Sequence, residues 1–136
     1  MKTYCYFVPV VVLLMCVVGC GVKAPYPVVP IEGTVTWDGK PVPKQFVLKF
    51  RPENGMTEST GFIKDDGKFT TIHTVDIDGV PTGNCTVRIQ WNGGDGTSPP
   101  DEYKPLVGKY GFQSGGLPIE IKKKDKNMKL DFPAVE

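Results

Sequence analysis

From residue 31 to residue 132, apolar side chains recur at every second position, in short runs broken by glycine. Successive side chains of a β-strand point to opposite faces, so a period of two marks half-buried strands, whereas a helix repeats every three to four residues. Ile31, Val35 and Trp37 share one face, with Glu32, Thr34 and Thr36 on the other. Phe46, Leu48 and Phe50 alternate with Val47, Lys49 and Arg51. Thr60 to Lys64, centred on Phe62, reads as a third strand and Lys68 to Thr74 as a fourth. Cys85, Val87, Ile89 and Trp91 alternate with Thr86, Arg88 and Gln90 in the cleanest pattern of the chain. Leu117, Ile119 and Ile121 follow, then Met128, Leu130 and Phe132. Asp38-Gly39-Lys40 and Asp65-Asp66-Gly67 supply tight turns, because glycine accepts the positive φ that hairpins need. With 16 glycines and 13 prolines in 136 residues, no apolar heptad survives and a coiled coil is excluded. The expected fold is all-β, a seven-stranded antiparallel β-sandwich over residues 31–133. Its exception is residues 92–116, a long Gly/Pro/Asp segment of the kind that is either functional or poorly ordered.

Ahead of the strands stands a different kind of segment. Lys2 is followed by an apolar run, and Tyr6 to Gly19 is 14 residues. As a helix that run is about 21 Å long, short of the roughly 30 Å hydrocarbon core, and Pro9 interrupts it. A secretory leader over residues 1–19 is expected, and not a membrane span. The run closes on Val17-Val18-Gly19-Cys20-Gly21, which resembles the bacterial lipobox. The resemblance implies cleavage between Gly19 and Cys20, a diacylglycerol thioether on the Cys20 sulfur, and acylation of the new amine. Two or three acyl chains give stable membrane anchoring. Residues 20–30, with three prolines after the cysteine, read as a short semi-extended tether.

The cysteines then sort themselves. Cys5 and Cys16 leave with the leader, Cys20 carries lipid, and Cys85 remains, so no internal disulfide or paired-cysteine metal site is open to the domain. Cys85 reads as a small buried core residue. The net charge of +1 disappears with Lys2, which leaves no electrostatic case for nucleic acid.

A family resemblance joins the strand pattern. Glu32-Gly33-Thr34-Val35-Thr36 with Asp38-Gly39-Lys40-Pro41-Val42 resembles the opening of a carboxypeptidase regulatory-like, transthyretin-type domain. Gly61-Phe62 with Asp65-Asp66-Gly67-Lys68-Phe69, and Val80-Pro81-Thr82-Gly83 with Val87-Arg88-Ile89, are similar to its second and third signatures. Lys109-Tyr110, Ser114-Gly115-Gly116-Leu117 and Asn127 to Phe132 resemble the ending of small planctomycete-type lipoproteins. The resemblance spans residues 31–132 and implies a transthyretin (prealbumin)-like, Ig-like sandwich that serves as a scaffold and brings no catalytic set.

Chemistry is sparse along the chain. The one histidine, His73, would need Ser59, Ser98, Ser114 or Cys85 beside it for nucleophilic catalysis, and none sits in a nucleophile elbow. It reads as a partly exposed strand residue. A transthyretin-like hydrolase is the least favoured function, because that enzyme's several histidines and tyrosine-rich C-terminus are missing. Asp76-Ile77-Asp78-Gly79 offers oxygens to calcium but lacks EF-hand spacing; it and the pairs Asp65/Asp66 and Asp101/Glu102 read as turn chemistry. No cofactor or metal is expected. Lys122 to Lys126 reads as a solvated basic turn with some attraction for anionic headgroups. Trp37 and Trp91 fall on apolar faces. Tyr103, Tyr110 and Phe112 lie in the long segment, where they form a candidate surface for a ligand or partner. The leading expectation is a non-enzymatic, lipid-anchored cell-envelope protein facing the periplasm or the cell surface, with an envelope protein or polysaccharide as partner. The alternative is a carbohydrate-binding module using exposed rings.

Overall fold

The computed structural model describes residues 23–136. The expected leader, the Gly19–Cys20 junction and the first residues of the tether lie outside the described residues. The strands are β1 (Val28–Val29), β2 (Ile31–Trp37), β3 (Lys40–Pro41), β4 (Phe46–Pro52), β5 (Ser59–Ile63) and β6 (Lys68–Thr74). They continue with β7 (Ile77–Asp78), β8 (Val80–Pro81), β9 (Gly83–Trp91), β10 (Leu117–Ile121) and β11 (Asp125–Phe132). A 3-10 turn at Asp101–Tyr103 leads into a single helix, α1 (Lys104–Tyr110), before β10.

The main sheet runs β10-β9-β4-β5-β6-β2-β11, with β3 attached to β2 and β7 to β6. Its two outermost strands are consecutive in the chain. Residues 122–124 join them, a link that reaches no more than roughly 14 Å. The sheet therefore curls until its edges nearly meet, and the core lies inside the curl. Alternation selects the inward set. Phe46, Leu48 and Phe50 of β4 face Val87 and Ile89 of β9, and Val35, Leu130 and Phe132 close the other side. Each such buried side chain contributes roughly 1.5–3 kcal/mol. Asp38 and Gly39 both have positive φ, 49° and 73°, the pairing a two-residue hairpin turn requires between Trp37 and Lys40.

Three features depart from expectation. The sheet is antiparallel except that β11 runs parallel to β2, pairing Asp125 with Ile31 and Phe132 with Trp37. The reason is the short link: it carries the chain across the mouth of the curl to the far edge, so β11 cannot fold back on β10. Second, the segment 92–116 contains α1, which contacts β9 and buries Leu106 and Tyr110. These two are four apart and so share a helix face. Third, the end of the proline-rich segment is bonded to the domain. β1 pairs with β8, the Thr82 N–H donates to the Pro27 carbonyl at 3.1 Å, and the Asp125 N–H donates to the Pro30 carbonyl at 3.0 Å.

Candidate functional site

Side chains of chemical interest meet at each of the two opposite ends of the sheet. At the Ile31 end the central group is His73. Its position on β6 is set by pairing: Gly61 stands opposite Thr71, and Ile63 opposite Phe69, so Thr71 and His73 point inward. His73 is 6% exposed, not the partly exposed strand residue expected. The apolar neighbours in sequence, Phe62 and Ile72, take the outward positions instead. Ser59 Oγ, fully buried, lies 2.8 Å from His73 Nδ1. Tyr26 OH lies 2.8 Å from Nε2, with its ring edge-on to the imidazole. A neutral imidazole carries one N–H and one lone pair, so one hydroxyl accepts from the ring and the other donates to it.

This is a serine–histidine pair without the rest of a nucleophilic site. The second ring nitrogen meets a phenol where a triad has a carboxylate that orients the ring and stabilises its cation. Ser59 has no exposed surface from which to reach a substrate. Burial holds the His73 pKa below its ordinary value, so the neutral ring is favoured at physiological pH. Ser98 and Ser114 are not among the partners of His73; Ser114 Oγ donates to the Gly108 carbonyl at the C-terminal end of α1. Cys85, also raised as a possible partner, is buried in the core. Burial and then the Glu53 carboxylate push its thiol up to about 12. At neutral pH it is a protonated thiol and a poor nucleophile.

The second place is the Trp37 end, where segment 92–116 folds over the mouth of the curl. Tyr103 lies 5.3 Å from Phe46 and 5.6 Å from Trp37, centroid to centroid. Tyr110 packs edge-on against Phe132 at 5.0 Å, and its hydroxyl donates to the Pro133 carbonyl at 3.2 Å. Burial, helped by Glu102, raises the Tyr103 pKa. Trp91 meets Phe46 at 5.0 Å, and its indole N–H donates to Thr97. The Trp37 indole N–H is buried with no partner. Phe112 alone of the candidate aromatics stands out into solvent, 65% exposed. Arg88 lies 5.8 Å from its ring and donates to its carbonyl at 2.9 Å. The sequence grouped Tyr103, Tyr110 and Phe112 as one surface. The fold buries Tyr110, half-buries Tyr103 against Phe46 and Trp37, and leaves Phe112 outside.

Asp76 and Asp78 flank Ile77 beside β7, and no group of three potential metal ligands occurs among the described residues. No helix among them is long and apolar enough to cross a membrane. No protein-family model matches the chain, and neither the curated proteins nor the solved structures contain a significant match to it.

Proposed function

We propose that this chain is a lipid-anchored, non-enzymatic cell-envelope protein whose β-domain, a sandwich of the transthyretin type, displays its Trp37 end to a partner. The observation that carries the reading is the close of the apolar leader on Val17-Val18-Gly19-Cys20. Acyl chains on Cys20 hold the protein at a membrane, and the β-domain stands outside the cytoplasm. Two features of the fold support that geometry. Tyr26 and residues 27–30 are bonded to the domain, so five residues, 21–25, separate it from Cys20. They reach at most roughly 20 Å, which keeps the Ile31 end close to the headgroups. The exposed Phe112 lies two residues beyond Tyr110, whose ring packs on Phe132 at the other end. The buried Ser59, the carboxylate-free His73 and the protonated Cys85 thiol favour a scaffold over a hydrolase.

The reading is tested by feeding cells that express the chain an alkyne-tagged palmitate and fractionating them. Labelled protein in the membrane fraction, with label and membrane association both lost in Cys20→Ala, is the expected result. Unlabelled protein in the soluble fraction would overturn it. A photo-crosslinking residue at position 112 then identifies what the distal end touches.

A further inference from the structure

A groove of about 310 Å³ runs along the outer face of the sheet where β6, β2 and β11 lie side by side. Its floor follows from register. Thr34 of β2 stands directly between Lys68 of β6 and Lys129 of β11. Strands lie about 4.8 Å apart, so two ammonium-bearing side chains flank one hydroxyl at a spacing of roughly 10 Å. Lys64 and Lys126 extend the two banks, and the floor continues from Thr34 to Thr70 with Glu32 paired beside it. Against these four lysines the groove holds one carboxylate, Glu32. Asp66 reaches Lys68 at 3.4 Å, an exposed pair of little strength. No ion pair involves Lys64, Lys126 or Lys129 among the described residues. The full chain carries a net charge of only +1, so this is a local concentration of charge.

The far bank is built by a bulge. Asp125 pairs with Ile31 and Met128 with Gly33, so β11 fits one residue more than β2 into the same span. The Asn127 N–H donates to the Asp125 carboxylate at 2.8 Å and holds the bulge. Gly33 makes it possible: a Cβ there would collide with the Met128 carbonyl. Bulges of this kind re-aim side chains, and this one sets Lys126 and Asn127 on the groove wall.

We infer that the groove binds an acidic polysaccharide, a linear chain of sugars bearing carboxylate or sulfate groups. The lysines sit on two banks and do not converge on one point, which suits repeated charges along a polymer better than a single small anion. Threonine hydroxyls and the Asn127 amide between them suit sugar hydroxyls. A flat bilayer would meet the banks and miss the recessed floor. This binding uses neither the aromatic rings of the Trp37 end nor the lipid on Cys20, so it stands or falls apart from the proposed anchoring.

The test titrates the full chain in detergent with polygalacturonate oligosaccharides and follows binding calorimetrically. Two variants of equal charge loss are compared: Lys64→Gln/Lys126→Gln/Lys129→Gln in the groove, and Lys122→Gln/Lys123→Gln/Lys124→Gln in the neighbouring turn. Both replace exposed residues, and circular dichroism verifies their folding. Salt-sensitive binding that weakens at least roughly tenfold in the groove variant, but less than about twofold in the turn variant, supports the site. Restoration by Lys→Arg at the three groove positions supports it further. Three outcomes overturn it: no binding of polygalacturonate or dextran sulfate, equal losses in the two variants, or displacement of the oligosaccharide by inorganic phosphate at matched charge. The last would mark a phosphate site of the kind a lipid headgroup occupies.

Discussion

The two ends of the curled sheet are closed by opposite means. At the Trp37 end, α1 and the rings of Tyr103, Tyr110 and Phe132 form an apolar lid whose polar contacts are few. At the Ile31 end, a chain of polar groups, half-buried Tyr26 and buried His73 and Ser59, sits beside backbone ladders from the proline-rich segment. An apolar closure gains in proportion to area and tolerates small errors of position. A polar closure contributes little net energy when complete and costs much when one member is missing. The first end is therefore sensitive to volume, the second to composition and pH.

The largest effect is expected from Leu106→Ala, which removes the fully buried anchor of α1. It should lower unfolding free energy by about 2–5 kcal/mol in a denaturant titration. A loss below about 1 kcal/mol would mean that α1 merely rests on the sheet, and the contrast between the ends would fail. Ser59→Ala comes next, at about 1–3 kcal/mol, because it strands a buried ring nitrogen. Tyr26→Phe should cost less, about 0.5–1.5 kcal/mol, and hydrogen exchange should show faster amide exchange in Val28–Val29 while β9 stays protected.

The polar end also predicts a pH response. The folded pKa of His73 is depressed, so the unfolded chain binds the proton more readily. The stability this group contributes is complete above its unfolded pKa of about 6.5 and is lost as pH falls through the lower folded value. Thermal midpoints measured on either side of that window should drop on acidification, and His73→Phe should flatten the curve. An unchanged slope in that variant would remove His73 as the sensor. Smallest of all, Phe112→Ala should stay within about 0.5 kcal/mol. Any larger loss would place this exposed ring in the lid after all.

The contrast also explains what the sequence disclosed. The inward faces of β9, β10 and β11 were legible because apolar and polar residues alternate there. On β5 and β6 the pattern misleads: Ser59, Thr71 and His73 are buried while Phe62 and Ile72 face out. Only pairing with β4, itself unambiguous, settles which face is which. Helix α1 escaped because it is seven residues long, begins beside Pro105, includes Gly108, and offers a single apolar pair at i, i+4. The parallel β2–β11 ladder and the lysine groove were hidden for another reason. Both join residues roughly 30–100 positions apart, and no local period records such a meeting. The histidine site was visible as a set of residue types, but Tyr26 sits in the tether and nothing local joins it to His73.

The side-by-side, parallel setting of the first long strand and the last has a mechanical meaning. Ile31 begins β2 at one end, and Phe132 finishes β11 at the other. Tension applied between the two termini runs along both strands in opposite senses and slides them past each other. The paired residues from Ile31–Asp125 to Trp37–Phe132 then bear the load together, where an antiparallel hairpin pulled from its open end would unzip rung by rung. A protein held at a surface by its N-terminus and pulled through its C-terminal strand would resist in its stiffest direction.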